Sequence, residues 1–153
     1  MLYLIYFEFI GSAQTVKIVH HSIGQIIDGE NSTASAVLDC DYNYDPGDAK
    51  LVVKWFYNDL PEPIYQWIPS SDTRYVGQLI RGHFDMDYRI GEDRFKKYRA
   101  IRLVPSNIQQ QYQKTNSNYF HYLPVSLTGK YTCQISSIMS QDSRYGQLVI
   151  YSK

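Results

Sequence analysis

Leu127-Thr128-Gly129-Lys130-Tyr131-Thr132-Cys133 is the stretch whose reading decides the fold. Gly129 supplies a turn, and the strand pattern of Lys130–Ser136 puts Cys133 mid-strand on a face shared with apolar neighbours. Tyr131 stands two residues before the cysteine, where its hydroxyl can return to nearby backbone.

The same pattern surrounds the other cysteine. In Ala34–Tyr42, Ala36, Leu38 and Cys40 share one face while Ser35, Val37 and Asp39 share the other. In Lys50–Tyr57, one face carries Leu51, Val53, Trp55 and Tyr57. Cys40, Trp55 and Cys133 therefore point into one core. Between two face-packed sheets, a cysteine from each layer can form a bridge against which a tryptophan packs.

Helical periodicity is nearly absent elsewhere, so the chain reads as all-β. Thr15–His21 is a candidate first strand, and Asp28-Gly29-Glu30-Asn31 and Asp45-Pro46-Gly47-Asp48 are turns. Pro61-Glu62-Pro63 precedes a strand over Ile64–Ile68, which Pro69 and Ser70-Ser71-Asp72 end. Short strands are expected near Tyr75–Ile80 and Phe84–Tyr88. Lys97–Val104 places Ile101 and Leu103 together, and Gln147–Tyr151 is the last strand. The Gln/Asn-rich tract Ser106–Asn118 reads as a long solvated loop, with a short helix as the alternative.

At 153 residues the chain suits one domain. Lys plus Arg and Asp plus Glu are 15 each, a net charge of zero, which argues against a nucleic-acid binder and gives no reason to expect an anionic membrane partner. Tyrosine is abundant, 15 residues, and suits both strands and interfaces.

Taken in order, Leu38-Asp39-Cys40, Val53-Lys54-Trp55-Phe56, Asp93-Arg94-Phe95, Gly129-x-Tyr131-x-Cys133 and the Leu148–Tyr151 strand resemble the immunoglobulin superfamily, V-type. The resemblance implies a V-type Greek-key β-sandwich with one inter-sheet disulfide, Cys40–Cys133, and with Trp55 and Tyr131 as core signature. The alternative is two buried free thiols. A bridge closing so long a loop stabilises by about 4–5 kcal/mol in the chain-entropy treatment. It also requires an oxidising compartment, hence a secreted or cell-surface location. Leu38-Asp-Cys-Asp-Tyr42, Val53-Lys-Trp-Phe56 and Ile64-Tyr-Gln-Trp-Ile-Pro69 look further like arthropod orphan proteins related to the beaten-path group, which are secreted or membrane-tethered neuronal recognition proteins. Two departures stand out. Leu127 occupies the position where V-type domains carry an acidic partner for the arginine that starts strand D, so Arg94 is expected to lack its usual partner. The cysteine spacing is also long, with the excess assigned to residues 69–92 and 105–126.

The apolar run Met1–Ile10, followed by Gly11-Ser12-Ala13, resembles a signal peptide over residues 1–13, leaving 14–153 as the V-type domain. Glu8 and the lack of a leading Lys or Arg depart from that pattern; a first β-strand or an incomplete gene model are the alternatives. The run is too short to span a bilayer, and no other stretch qualifies. Asn31-Ser32-Thr33 is a glycosylation sequon. His20, His21, His83 and His121 lack metal-ligand spacing, and Asp85, Asp87, Glu92 and Asp93 read as a solvated acidic loop rather than a calcium site. No nucleophile elbow, phosphate loop or zinc-hydrolase signature occurs, and no cofactor is expected.

With Trp55 inward, Lys54 and Phe56 point outward. By analogy with V domains, Ile68 points inward and Tyr65 and Trp67 outward, joined by Gln134 and Val149. Such an aromatic cluster with a cationic neighbour resembles a protein-binding surface. The expected function is an extracellular recognition module for another cell-surface or secreted protein, with homophilic adhesion as a variant. The alternatives are a small-ligand or glycan carrier and the ectodomain fragment of a longer receptor.

Overall fold

Alternation around Cys40 builds the first layer. In the computed structural model, which describes residues 16–31, 33–45, 50–106 and 122–153, strand β3 (Ala36–Asn43) buries Ala36, Leu38, Cys40 and Tyr42. It lies between β1 (Lys17–Ser22) and β7 (Ile101–Leu103), antiparallel to both. Ile101 stands opposite Leu38 and Leu103 opposite Ala36, so the inner faces match.

The second layer runs in the order β2 (Gln25–Asp28), β9 (Gln141–Tyr151), β8 (Gly129–Ser136), β4 (Val52–Tyr57), β5 (Tyr65–Ile68), β6 (Thr73–Val76). On β4, Val53 and Trp55 are fully buried, as the alternation requires. Trp55 stands opposite Cys133 across the β4–β8 ladder. Cys133 is bonded to Cys40 of the other layer, Cα to Cα 6.6 Å, closing a loop 93 residues apart in sequence. Tyr131 donates its hydroxyl to the carbonyl of Leu127 at 2.6 Å, and Leu127 ends a short 3-10 turn, Val125–Leu127. Burial pushes the Tyr131 hydroxyl far above its ordinary pKa, so it remains a donor at any physiological pH. Gly129, expected as a turn residue, begins β8 where a Cβ would come within 2.4 Å of the Tyr57 ring. Two sheets, this strand order and the bridge between them make the chain a V-type immunoglobulin Greek-key β-sandwich.

The first strand divides between the layers. β1 belongs to one sheet, whereas β2 pairs with β9 in parallel in the other. The chain crosses at Ile23-Gly24, close against Gly146, whose Cβ would lie 2.8 Å from the Gly24 nitrogen. Side chains of β9 and of the turn before it close the outer edge of β1. Ser140 Oγ accepts the N–H of Val16, and Asp142 Oδ2 that of Ile18, both at 2.9 Å. Edge donors left open would template pairing with another chain.

Several expectations change. The strand near Tyr75–Ile80 is β6 followed by a single helical turn, α1 (Gln78–Arg81). Phe84–Tyr88 reduces to one bridge, Phe84 with Leu103, so Phe84 occupies the place of strand D. Asp93-Arg94-Phe95 is consequently no strand start but a turn, with Asp93 Oδ1 accepting the Phe95 N–H at 2.8 Å. Arg94 is exposed, donates to the Ser70 carbonyl at 3.4 Å and lies 5.4 Å from the Phe95 ring centroid. The buried guanidinium is Arg99, which grips both Asp39 oxygens at 2.8 and 3.0 Å. The strand expected at Lys97–Val104 shortens to β7, and that at Gln147–Tyr151 lengthens to β9. The expected signal segment 1–13, most of the Asp45–Asp48 turn and the loop 107–118 lie outside the described residues. Among the described residues, no helix is long and apolar enough to cross a membrane.

Candidate protein-binding face

Alternation leaves to solvent the face of the six-stranded sheet turned away from the core. Trp55 and Val53 point inward, so Val52, Lys54 and Phe56 point outward. The ladders then fix their neighbours. Phe56 stands opposite Thr132 of β8, and Thr132 opposite Tyr145 of β9. The row through Lys54 reads Ser143, Gln134, Lys54, Gln66, Tyr75. Ile26 of β2 pairs with Val149 at the sheet's other edge.

Of the expected face residues, Lys54, Phe56, Gln134 and Val149 lie on this surface, with Val149 38% exposed. Tyr65 and Trp67 do not. Both are fully buried, and Gln66 and Ile68 take the outward positions of β5. The cause is the shortened three-stranded layer. With strand D reduced to Phe84, large side chains on β5 and the 82–100 segment fill the space between layers. Tyr65 stacks on Phe84, ring centroids 5.2 Å apart, and donates its hydroxyl to the Tyr98 carbonyl at 2.7 Å. Burial raises the Tyr65 pKa well above the ordinary tyrosine value. Trp67 meets the Tyr98 ring edge-on at 5.8 Å and donates its indole N–H to Asp72 at 3.1 Å. Arg74 of β6 stacks 3.9 Å from the Tyr98 ring centroid and donates to the Met86 carbonyl.

The exposed aromatics of the face are instead Tyr145, 66% exposed, Tyr75, 51%, and Tyr151, 41%. Period-two alternation run back from Val149 reaches Tyr145 directly. Lys130 lies 4.8 Å from the Tyr145 ring centroid and 3.2 Å from Asp59. Beside Tyr75 the sheet ends in an open hollow of about 280 Å³, lined by Leu60, Pro61, Pro63 and Leu79 among others.

Asn31 is exposed in the turn after β2, and its Oδ1 accepts the N–H and hydroxyl of Thr33 at 3.1 and 2.9 Å. Gly29 of the same turn bonds the Tyr151 carbonyl, so the sequon lies at the end of the sandwich away from the β8–β9 hairpin. Three of the four acidic loop residues are engaged with their own chain. Asp85 pairs with Arg102 at 2.7 Å, Glu92 with Arg89 at 3.3 Å, and Asp93 with the Phe95 N–H. Among the described residues no three His, Cys, Asp or Glu side chains gather as a metal set.

No family model matches the chain, and no curated protein does. Solved structures do match. The fold is similar to the human B7-H4 IgV-like domain, at 12% identity over 90% of this chain and 96% of that one, TM-score 0.51. It is similar also to a chimeric titin Z1Z2 carrying an exogenous decorin peptide, at 9% identity over 92% and 97%, TM-score 0.52. These likenesses bear on the fold alone.

Proposed function

We propose that the chain is an extracellular recognition module that binds another cell-surface or secreted protein, or a second copy of itself, through the outer face of the six-stranded sheet. One observation carries this reading. Tyr145, Tyr75, Phe56, Ile68 and Val149 stand on one face of a single sheet pinned by the disulfide, where aromatic anchors give binding energy at low entropic cost. The disulfide supports an oxidising location, and the exposed Asn31 sequon supports N-glycosylation at an end of the domain that leaves this face clear. The strand wording shared with the beaten-path group fits a role in cell recognition.

The test is a binding screen of the domain, fused to a multimeric tag, against a panel of secreted and cell-surface ectodomains. Tyr145→Ala and Phe56→Ala should each weaken capture by roughly tenfold or more while the thermal midpoint stays near that of the parent. Unchanged capture in both variants rejects the face. Trp67 is unsuited to this test because its indole belongs to the core. A melting temperature raised by a small hydrophobic ligand or glycan, with no ectodomain captured, would favour a carrier instead.

A further inference from the structure

Resting on that reading of the face, we propose that it takes a partner presenting a carboxylate to Lys54, and that this partner is a protein other than a second copy of the chain.

Lys54 is central. Gln134 and Gln66 flank it across the sheet, and Val52 and Phe56 lie two positions away along its own strand. The outward positions of β4, β5, β6, β8 and β9 contain no aspartate or glutamate. They contain two lysines, and one of these, Lys130, already pairs with Asp59. Among the described residues Lys54 has no ion-pair partner, and it is partly buried. The chain as a whole is neutral, so this positive centre is a local arrangement.

Docking strips water from whatever lies at the centre of an interface. A desolvated ammonium costs several kcal/mol unless a carboxylate or several acceptors answer it. The face is otherwise built of amides, hydroxyls and apolar groups, so one acidic side chain on the partner matches the charge at its centre. The same charge also steers the encounter and penalises unsuitable partners.

A self-pair centred on the face cannot supply that group. Two-fold pairing is isologous, each surface meeting its own image. An axis through the middle of the face sets Lys54 beside its mate. An axis displaced along the sheet sets it against glutamine, serine, tyrosine or aliphatic positions. The carboxylates at the rim are Asp59, held by Lys130, Glu62, on the loop that lines the hollow beside Tyr75, and Asp28, opposite Tyr151 on β2. A two-fold axis within the face therefore leaves both Lys54 side chains unanswered.

Two measurements on the full disulfide-bonded chain test this. In sedimentation velocity at low salt and roughly 100 μM, above the Kd of an ordinary stable pair, the chain should be monomeric. A dimer that Phe56→Ala dissolves overturns the proposal. Next come those ectodomains of the panel whose capture Tyr145→Ala abolishes. For these, Lys54→Glu should weaken binding by roughly tenfold or more, Lys54→Arg should largely preserve it, and affinity should fall as salt rises. Circular dichroism and thermal midpoint confirm that the variants fold. Binding unaffected by Lys54→Glu, with Tyr145→Ala still disabling, overturns the carboxylate requirement and leaves the face standing. If Tyr145→Ala and Phe56→Ala both bind normally, it is the face itself that fails.

Discussion

The indole nitrogen of Trp55 donates a 2.8 Å hydrogen bond to the carbonyl oxygen of Arg99, while the guanidinium of the same Arg99 holds Asp39 on the outer side of the other sheet. One residue just ahead of β7 thus serves the core through its backbone and the surface through its side chain. Trp55→Phe leaves that buried carbonyl without its donor, at about 1–3 kcal/mol, and adds a cavity beside the disulfide. Urea unfolding followed by far-ultraviolet circular dichroism should show a loss of at least about 2 kcal/mol. A loss within error would show that the bond contributes nothing.

Asp39 and Arg99 should behave as a coupled pair. Their side chains are 21% and 10% exposed, so either one alone is a charge poorly served by water. Burial opposes the charge on Arg99, yet the Asp39 bonds outweigh it and hold the guanidinium pKa above its ordinary value. Removing one partner, by Asp39→Asn or Arg99→Met, should destabilise by about 3 kcal/mol. The double variant should lose clearly less than the sum, and strict additivity in that cycle would mean the contact is incidental.

Acid should loosen the first strand. Burial pushes the Asp142 carboxyl upward, but the Ile18 N–H, the Arg144 guanidinium and the Ser143 N–H together hold it below its ordinary 3.8. A folded pKa below the unfolded one contributes stability that is complete above the unfolded value and lost as pH falls through the folded one. Asp41 is shifted in the same direction. There too burial pushes upward and is outweighed, chiefly by the Lys96 hydrogen bond, with the Arg99 and Lys96 charges and the Tyr42 N–H adding to it. Stability should therefore be level from neutrality down to about pH 5 and decline below about pH 4. Asp142→Asn should flatten that decline and speed hydrogen exchange at the Ile18 amide. An acid slope identical to the parent's would remove Asp142 from the account.

The bridge between layers should dominate overall stability. Replacing both Cys40 and Cys133 with alanine frees a loop closed over a separation of 93 residues, which costs about 4–5 kcal/mol in the chain-entropy treatment. The expected result is a domain largely unfolded at body temperature, with lost near-ultraviolet dichroism. A cooperative transition near the parent midpoint would show that packing around Trp55 suffices alone.

The core was legible where apolar periodicity and the cysteines agreed. Cys40, Trp55 and Cys133 each sat on the apolar side of an alternating run, and their fully buried positions follow from that alone. β5 was not legible in this way. Tyr65 and Trp67 share one face, Gln66 and Ile68 the other, and each face offers apolar atoms to a core. What decides between them is Phe84 and Tyr98, distant in sequence, which arrive to cover the two aromatics. Arg94 was read as the arginine that starts strand D because the usual motif spacing assumes a full strand there, whereas the chain makes one bridge. The first half of β9 alternates only between polar residues and Tyr145, so a solvent-facing strand looked like loop. Of the residues expected on the outer face, Lys54, Phe56, Gln134 and Val149 take outward positions of the six-stranded sheet, Tyr65 and Trp67 are buried, and Tyr75, Tyr145 and Tyr151 are the exposed aromatics there.

The parallel pairing of β2 with β9 has a mechanical consequence. The chain enters β2 from the end of the sandwich near the β8–β9 hairpin, and it leaves β9 at the opposite end, beyond Tyr151. Tension applied between these two points draws the strands past each other along their length. Their ladder, extended by the Gly29 to Tyr151 bond, is then loaded in shear. Its hydrogen bonds must yield together rather than peel open one at a time. A domain pulled in this direction would hold its shape, and the outward side chains of the six-stranded sheet would keep their places relative to one another.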